Sequence, residues 1–241
     1  MKRLIDVFGS AFGLILLSPV LLVAIVAIWL QDYCSPFYIA PRVGRNGKIF
    51  QMVKLRSMVK DADKSGVDST SANDLRITEV GRVIRKYKLD EFIQLWNVLT
   101  GDMSLVGPRP NVQREVDLYT DVERHLLEVK PGITDLASIV FSDEGEILKD
   151  SQNPDLDYNQ LIRPWKSRLG LLYVEKQNII LDFWLIILTI IALINRETAL
   201  RGAVYTLEKI GATEEVIRVS SRHIELFPFP PPGSDTIVTS R

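Results

Sequence analysis

Two adjacent carboxylates, Asp90 and Glu91, stand in the middle of a run of cations. Arg76, Arg82, Arg85, Lys86 and Lys88 precede them, against Glu79 alone; Lys54 and Arg56 lie upstream and Arg109 downstream. Carboxylates at a helix start favour the positive end of its dipole by about 0.3–1 kcal/mol, so the pair by itself is open to a structural role. The cations add a second reading. They attract phosphates, and they lower a carboxylate's pKa so that it stays ionised as a nucleophile or a metal ligand. Arg109 lies between Pro108 and Pro110. Pro110 biases it towards extended backbone and Pro108 stiffens its entry. A guanidinium placed in advance suits bidentate phosphate binding. The same Gly107–Pro110 string also reads as a rigid surface turn.

Other chemistries find little support. The single cysteine, Cys34, allows no intrachain disulfide and no multi-cysteine metal site. The two histidines, His125 and His223, are far apart, and no zinc-hydrolase or serine-hydrolase motif occurs. A net charge of −1 gives a nucleic-acid partner no support.

The elements that must position the pair begin with an apolar run, Leu4–Leu30, uncharged from Leu14 onward. As a straight helix it would be about 40 Å long, enough for a bilayer core of about 30 Å. No small-residue cleavage site follows it, so it reads as a retained anchor. Ser18-Pro19 sits mid-run, and basic residues flank both ends: Lys2 and Arg3 before, Arg42, Arg45 and Lys48 after. Two readings fit: a helix that enters the membrane, bends at the proline and returns, or a spanning helix with a tolerated kink.

Residues 37–57 predict a hairpin, Phe37–Val43 and Ile49–Leu55 around Asn46-Gly47. The polar stretch 61–75 reads as a loop. Thr78 is placed to cap a helix through Tyr87, and helical spacing of Leu89, Phe92, Ile93, Trp96 and Leu99 predicts a second helix ending at Gly101. Met103–Val106 reads as a strand, 111–130 as an amphipathic helix, 142–160 as an acidic loop, and Arg163–Val174 as a helix. Ile179–Ile194 is apolar but short for spanning, which suggests a helix on the membrane surface or against the core. The composition changes at 204, and the Pro-containing tail leaves a homodimer open. The resulting division is 1–32 membrane helix, 33–203 catalytic domain and 204–241 extension, in an α+β fold that is mostly helical.

The strings Lys54–Met58, Arg76–Thr78, Lys88–Glu91, Asn97–Leu99, Gly101–Pro110 and Pro131–Thr134, with the Ser18-Pro19 break, resemble the bacterial sugar transferase family. These are the monotopic polyprenyl-phosphate phosphoglycosyl transferases, and the likeness covers roughly residues 1–195. The resemblance implies that Asp90 is the nucleophile, forming a covalent phosphosugar and releasing UMP from a UDP-sugar. Glu91 would assist, as a magnesium ligand with Asp90 or as a proton handler. Arg85 and Arg109, with Lys54 and Arg56, would hold phosphates. Polyprenyl phosphate would then take the phosphosugar in a ping-pong reaction. The resemblance also implies a re-entrant helix with both ends cytoplasmic, interfacial amphipathic helices, and a catalytic domain on the cytoplasmic face of the bacterial inner membrane among its lipids. Asp135 stands where the family commonly has glycine, and Gly170 where many members carry aspartate. A membrane-anchored scaffold on the same fold and a UDP-sugar hydrolase are the competing functions.

Overall fold

The N-terminal apolar run forms one helix, α1 (Lys2–Asp32), in which Ser18 and Pro19 are both helical. The Ser18 hydroxyl donates to the Ile15 carbonyl (2.7 Å), close to the donor that Pro19 lacks. The computed structural model describes residues 1–62 and 74–239; most of the stretch read as a loop at 61–75 lies outside the described residues. Both ends of α1 are fastened to the same folded body. Near its start, Arg3 donates to the carbonyls of Val98 (2.5 Å) and Leu99 (2.8 Å). Buried Asp6 accepts from the Ser104 hydroxyl and the Leu105 amide, both at 2.9 Å. Near its end, Leu21, Ala24 and Ile28 pack with Leu55 and Ile84, and Arg56 grips Asp32 with both terminal nitrogens (2.5 and 2.6 Å). The other face exposes Leu4, Phe8, Phe12, Ile15, Leu16, Leu22 and Val23.

The expected hairpin forms with the expected bounds: β1 (Phe37–Val43) pairs antiparallel with β2 (Ile49–Leu55), Phe37 opposite Leu55. Asn46 and Gly47 both turn through positive φ. Then α2 (Glu79–Lys86) begins at Thr78, whose hydroxyl accepts from the Gly81 amide (2.9 Å). A Cβ at Gly81 would lie 1.9 Å from the Ser57 carbonyl oxygen, so only glycine lets α2 sit this close to the end of the hairpin. The helix expected from Asp90 to Leu99 is two short ones, α3 (Leu89–Phe92) and α4 (Leu95–Thr100). Gln94 and Trp96 bond three residues back, a tighter winding that separates them. Asn97 on α4 completes the edge of β2, accepting from the Val53 amide (2.9 Å) and donating to the Gln51 carbonyl (2.7 Å).

Next come β3 (Ser104–Val106), α5 (Gln113–Val116), a 3-10 turn at Glu123–Glu128 and β4 (Gly132–Thr134). The 111–130 stretch is therefore not the single helix its spacing suggests. Thr120 and Glu123 exchange backbone-to-side-chain bonds (3.0 and 3.1 Å) that interrupt it. β3 and β4 pair in parallel, Ser104 opposite Gly132 and Val106 opposite Thr134. The chains pass so closely that a Cβ at Gly132 would lie 2.1 Å from the Gly107 nitrogen.

The 142–160 stretch, read as a loop, contains α7 (Glu144–Ile147) and α8 (Pro154–Asp157), following α6 (Leu136–Val140). A π-helical turn, Tyr158–Ile162, leads into α9 (Arg163–Lys176). The chain ends with α10 (Ile179–Ile194), α11 (Arg196–Lys209) and α12 (Glu214–Ser220). Residue 204 lies inside α11. The main core joins Leu136 and Ile139 of α6, Trp165 and Tyr173 of α9, Leu185 of α10 and Ala203 of α11. The tail folds back onto it: Phe229 stacks on Trp165 at 4.5 Å between ring centres, and its amide donates to the Gln160 carbonyl (3.0 Å). The outward face of α10 leaves Ile180, Phe183, Ile187, Ile190 and Ile194 exposed. The whole is a mostly helical fold with an apolar N-terminal helix and a small antiparallel hairpin.

Candidate active site

Asp90 lies on α3, which starts just after a sharp reversal of the chain. Lys88 makes that reversal in the left-handed conformation (φ 56°, ψ 22°), which costs a non-glycine residue roughly 1–2 kcal/mol. The strain is thus stored two residues from the carboxylate pair. Asp90 is 8% exposed, and among the described residues its Oδ1 has no hydrogen-bond partner. It borders two clefts of about 670 Å³ each, and Lys54 and Arg85 line both of them with it. Glu91 and Arg109 line the second cleft.

Each cation reaches the site by a different route. Lys54 is supplied by β2 and Arg85 by the last turn of α2, where its Nε donates to the Ser57 hydroxyl (2.8 Å). Arg109 follows β3 across the Gly107–Gly132 crossing, and its Nη2 donates to Glu91 Oε1 (2.6 Å). Arg56 lines the first cleft, but Asp32 holds its terminal nitrogens. The structure therefore gathers Asp90, Glu91, Lys54, Arg85 and Arg109 together, while Arg56 also ties α1 to the body. Ser18 and Pro19 line neither cleft.

Electrostatics distinguish the two carboxylates. Burial works against charge on Glu91, but Arg109, by charge and hydrogen bond, and Lys54 outweigh it and hold the carboxyl well below its ordinary range. Burial pushes Asp90 upward, with Glu91 adding to the rise and Lys54, Arg85 and Arg109 opposing it. Burial, with repulsion from Arg109, brings Lys54 down to about 8. Glu91 is thus a fixed anion locked to Arg109. Asp90 is a carboxylate whose charge depends on its cations, and among the described residues its Oδ1 has no hydrogen bond to stabilise it.

The second cleft is also lined by residues that were not singled out from the sequence, among them Ser138 of α6, Asp143 just before α7, Glu144 of α7 and Lys166 of α9. Glu144 and Lys166 are ion-paired. Glu144 sits in the stretch read as an acidic loop, and nothing local marks it as facing a cleft. The two departures from the family pattern have structural roles. Asp135 is buried and caps α6, accepting from the Ser138 amide (2.7 Å). At Gly170 a Cβ would lie 2.7 Å from Leu126 Cδ2, so α9 packs too tightly there for a larger residue.

The site is a buried carboxylate pair among cations on an apolar-faced body, and comparison with known proteins gives the family. Residues 1–196 match the bacterial sugar transferase family model, and the chain belongs to that family. It is 37% identical over 146 residues to a UDP-N-acetylgalactosamine-undecaprenyl-phosphate N-acetylgalactosaminephosphotransferase of Aeromonas hydrophila, covering 58% of this chain and 34% of the relative. It is 34% identical over 205 residues to the galactosyl transferase CpsE of Streptococcus agalactiae, covering 78% and 41%. A UDP-glucose:undecaprenyl-phosphate glucose-1-phosphate transferase of Caulobacter vibrioides is 36% identical over 175 residues, covering 69% and 65%. The chain thus spans less than half the length of the first two relatives.

Proposed function

We propose that this chain transfers a sugar-1-phosphate from a UDP-sugar to polyprenyl phosphate, releasing UMP and initiating glycoconjugate assembly. The observation that carries the reading is the buried Asp90 oxygen without a partner, on the wall between two clefts and beside Lys54 and Arg85. A protein normally satisfies such an atom with a donor or a cation; one left unbonded beside cations that attract phosphate is available as a nucleophile towards phosphorus. The names of the Aeromonas and Caulobacter relatives supply the substrate classes, a UDP-sugar and undecaprenyl phosphate.

In the first half-reaction an Asp90 oxygen bonds to the sugar-bearing phosphorus of the diphosphate. The bond from that phosphorus to the bridging oxygen breaks, and UMP leaves with the electron pair. In the second, an oxygen of polyprenyl phosphate attacks the same phosphorus and the Asp90 carboxylate departs unchanged. Lys54, Arg85 and Arg109 hold the phosphate oxygens as charge shifts between them. The Glu91–Arg109 pair fixes Arg109 in place. Asp90 and Glu91 together fit magnesium: they are adjacent carboxylates, one with a free buried oxygen. Among the described residues no cluster of three or more His, Cys, Asp or Glu forms a complete metal site. Substrate phosphates would therefore complete the coordination, and the ion would neutralise diphosphate charge.

The body sits on the membrane through the outer faces of α1 and α10. Because Arg3 and Arg56 fasten opposite ends of α1 to that one body, a re-entrant helix fits better than one spanning with its ends on opposite sides. Basic residues at both flanks favour the cytoplasmic face. The test uses purified protein, magnesium and UDP-sugar labelled on the phosphate next to the sugar. Label becomes covalently attached with release of one UMP per chain, and turnover follows only when polyprenyl phosphate is added. Attachment that persists in Asp90→Asn overturns the nucleophile assignment, and steady UMP release without the lipid makes the protein a hydrolase.

A further inference from the structure

Glu144 and Lys166 line the same cleft as Asp90, Glu91 and Arg109. The turn that carries Glu144 is held by residues far along the chain. Asp143 accepts from Arg196 (2.8 Å) and Arg222 (3.2 Å). Arg196 also donates to the Ser142 hydroxyl (3.1 Å), and the Arg222 guanidinium lies 5.4 Å from the centre of the Phe141 ring. Lys166 is held in turn over the Tyr158 ring at 5.4 Å. Burial opposes charge on Glu144, but Lys166, Arg109 and Lys88 outweigh it and keep the carboxylate ionised. Among the described residues the Lys166 side chain has the Glu144 carboxylate as its one hydrogen-bond partner, and the Glu144 side chain has Lys166 as its one. One carboxylate oxygen and two ammonium hydrogens thus remain for a ligand.

The two poles of the cleft suit different parts of one substrate. Lys54, Arg85 and Arg109 suit phosphate oxygens. An ionised carboxylate repels phosphate and accepts from hydroxyl or amide N–H groups, while the ammonium beside it donates to hydroxyl oxygens. A carboxylate–ammonium pair next to a diphosphate site therefore fits the polyhydroxyl group attached to that diphosphate.

We propose that Glu144 and Lys166 bind the sugar hydroxyls of the donor and select which sugar is accepted, with Asp143, Arg196 and Arg222 as positioning residues. The proposal rests on the transferase reading above. It gives residues of the C-terminal part, Arg222 above all, a part in specificity.

The test compares wild type and Glu144→Gln for UMP release from UDP-glucose, UDP-galactose and their N-acetylated counterparts, with UMP binding measured separately by calorimetry. In Glu144→Gln, kcat/KM for the preferred sugar falls about tenfold or more, as expected for a lost hydrogen bond to a charged group. The ratio between C4 epimers moves towards one, and UMP affinity stays within about twofold, since UMP lacks the transferred sugar. Glu144→Asp, which keeps the charge and shortens its reach, changes the same ratios and serves if the glutamine variant does not fold. Arg222→Lys shifts them less, in the same direction. Unchanged ratios in both Glu144 variants overturn the proposal. So does an equal loss of UMP affinity, which would place Glu144 on the ribose. A wild-type protein that releases UMP from no UDP-sugar overturns the transferase reading itself.

Discussion

Asp90 and Glu123 are both carboxylates withdrawn from solvent, and both face cations. Around Glu123 every oxygen is used. Oε1 accepts from Arg163 Nε (3.1 Å) and the Ser167 hydroxyl (2.6 Å), and Oε2 from Arg163 Nη2 (2.5 Å) and the Thr120 amide (3.0 Å). Arg163 spends its remaining donors on Asn159 Oδ1 (2.9 Å) and the Leu118 carbonyl (2.6 Å). Around Asp90 the cations are near, but among the described residues Oδ1 is left without a partner. A buried ion pair that satisfies itself joins distant segments of the fold. A buried carboxylate left short of bonds, beside a cleft, is held in readiness for a group that comes from outside.

The sharpest way to break this contrast is to neutralise each carboxylate in turn. Asp90→Asn should lower turnover by about 10⁴-fold or more and leave the melting midpoint in detergent no lower than wild type. Its raised pKa means that the folded state binds the proton more tightly than the unfolded chain. Ionised Asp90 therefore costs stability above its ordinary range, and the amide removes that cost. Glu123→Ala should do the reverse, costing about 3–5 kcal/mol in denaturant unfolding because Arg163 is left buried and unpaired. A destabilised Asp90→Asn protein, or a stable Glu123→Ala one, would undo the distinction.

A smaller effect sharpens it. Lys54, brought down to about 8, is charged below that pH and neutral above it. UMP affinity should therefore weaken as pH rises through about 8, and the dependence should vanish in Lys54→Met. The smallest effect concerns the strained turn. Lys88→Gly should raise stability by about 1 kcal/mol through relief of the left-handed conformation, measured by denaturant unfolding, while removing one cleft cation.

Much of the local structure was legible. Asn46-Gly47 marked the hairpin because few other residues accept positive φ in succession. Thr78 marked the start of α2 because its hydroxyl can replace a missing helix bond. The run of β-branched and leucine residues marked α10. Illegible were the elements whose cause lies elsewhere in the chain. The 111–130 stretch has the spacing of one helix, yet Glu123 is drawn aside by Arg163, a residue of α9. The β3–β4 pair rests on three residues a side and on two glycines that touch only after folding.

Sequence alone determined the chemistry on offer: an adjacent Asp90-Glu91 pair, a store of cations, a stiffened Arg109 and an apolar helix, because each is written in contiguous residues. The tertiary structure decided which groups meet. It locked Glu91 to Arg109, gave Arg56 to Asp32, left Asp90 short of a bond and brought Glu144 and Lys166 to the same cleft. Those outcomes depend on contacts between segments tens of residues apart, where burial and charge act through space and no local pattern records them.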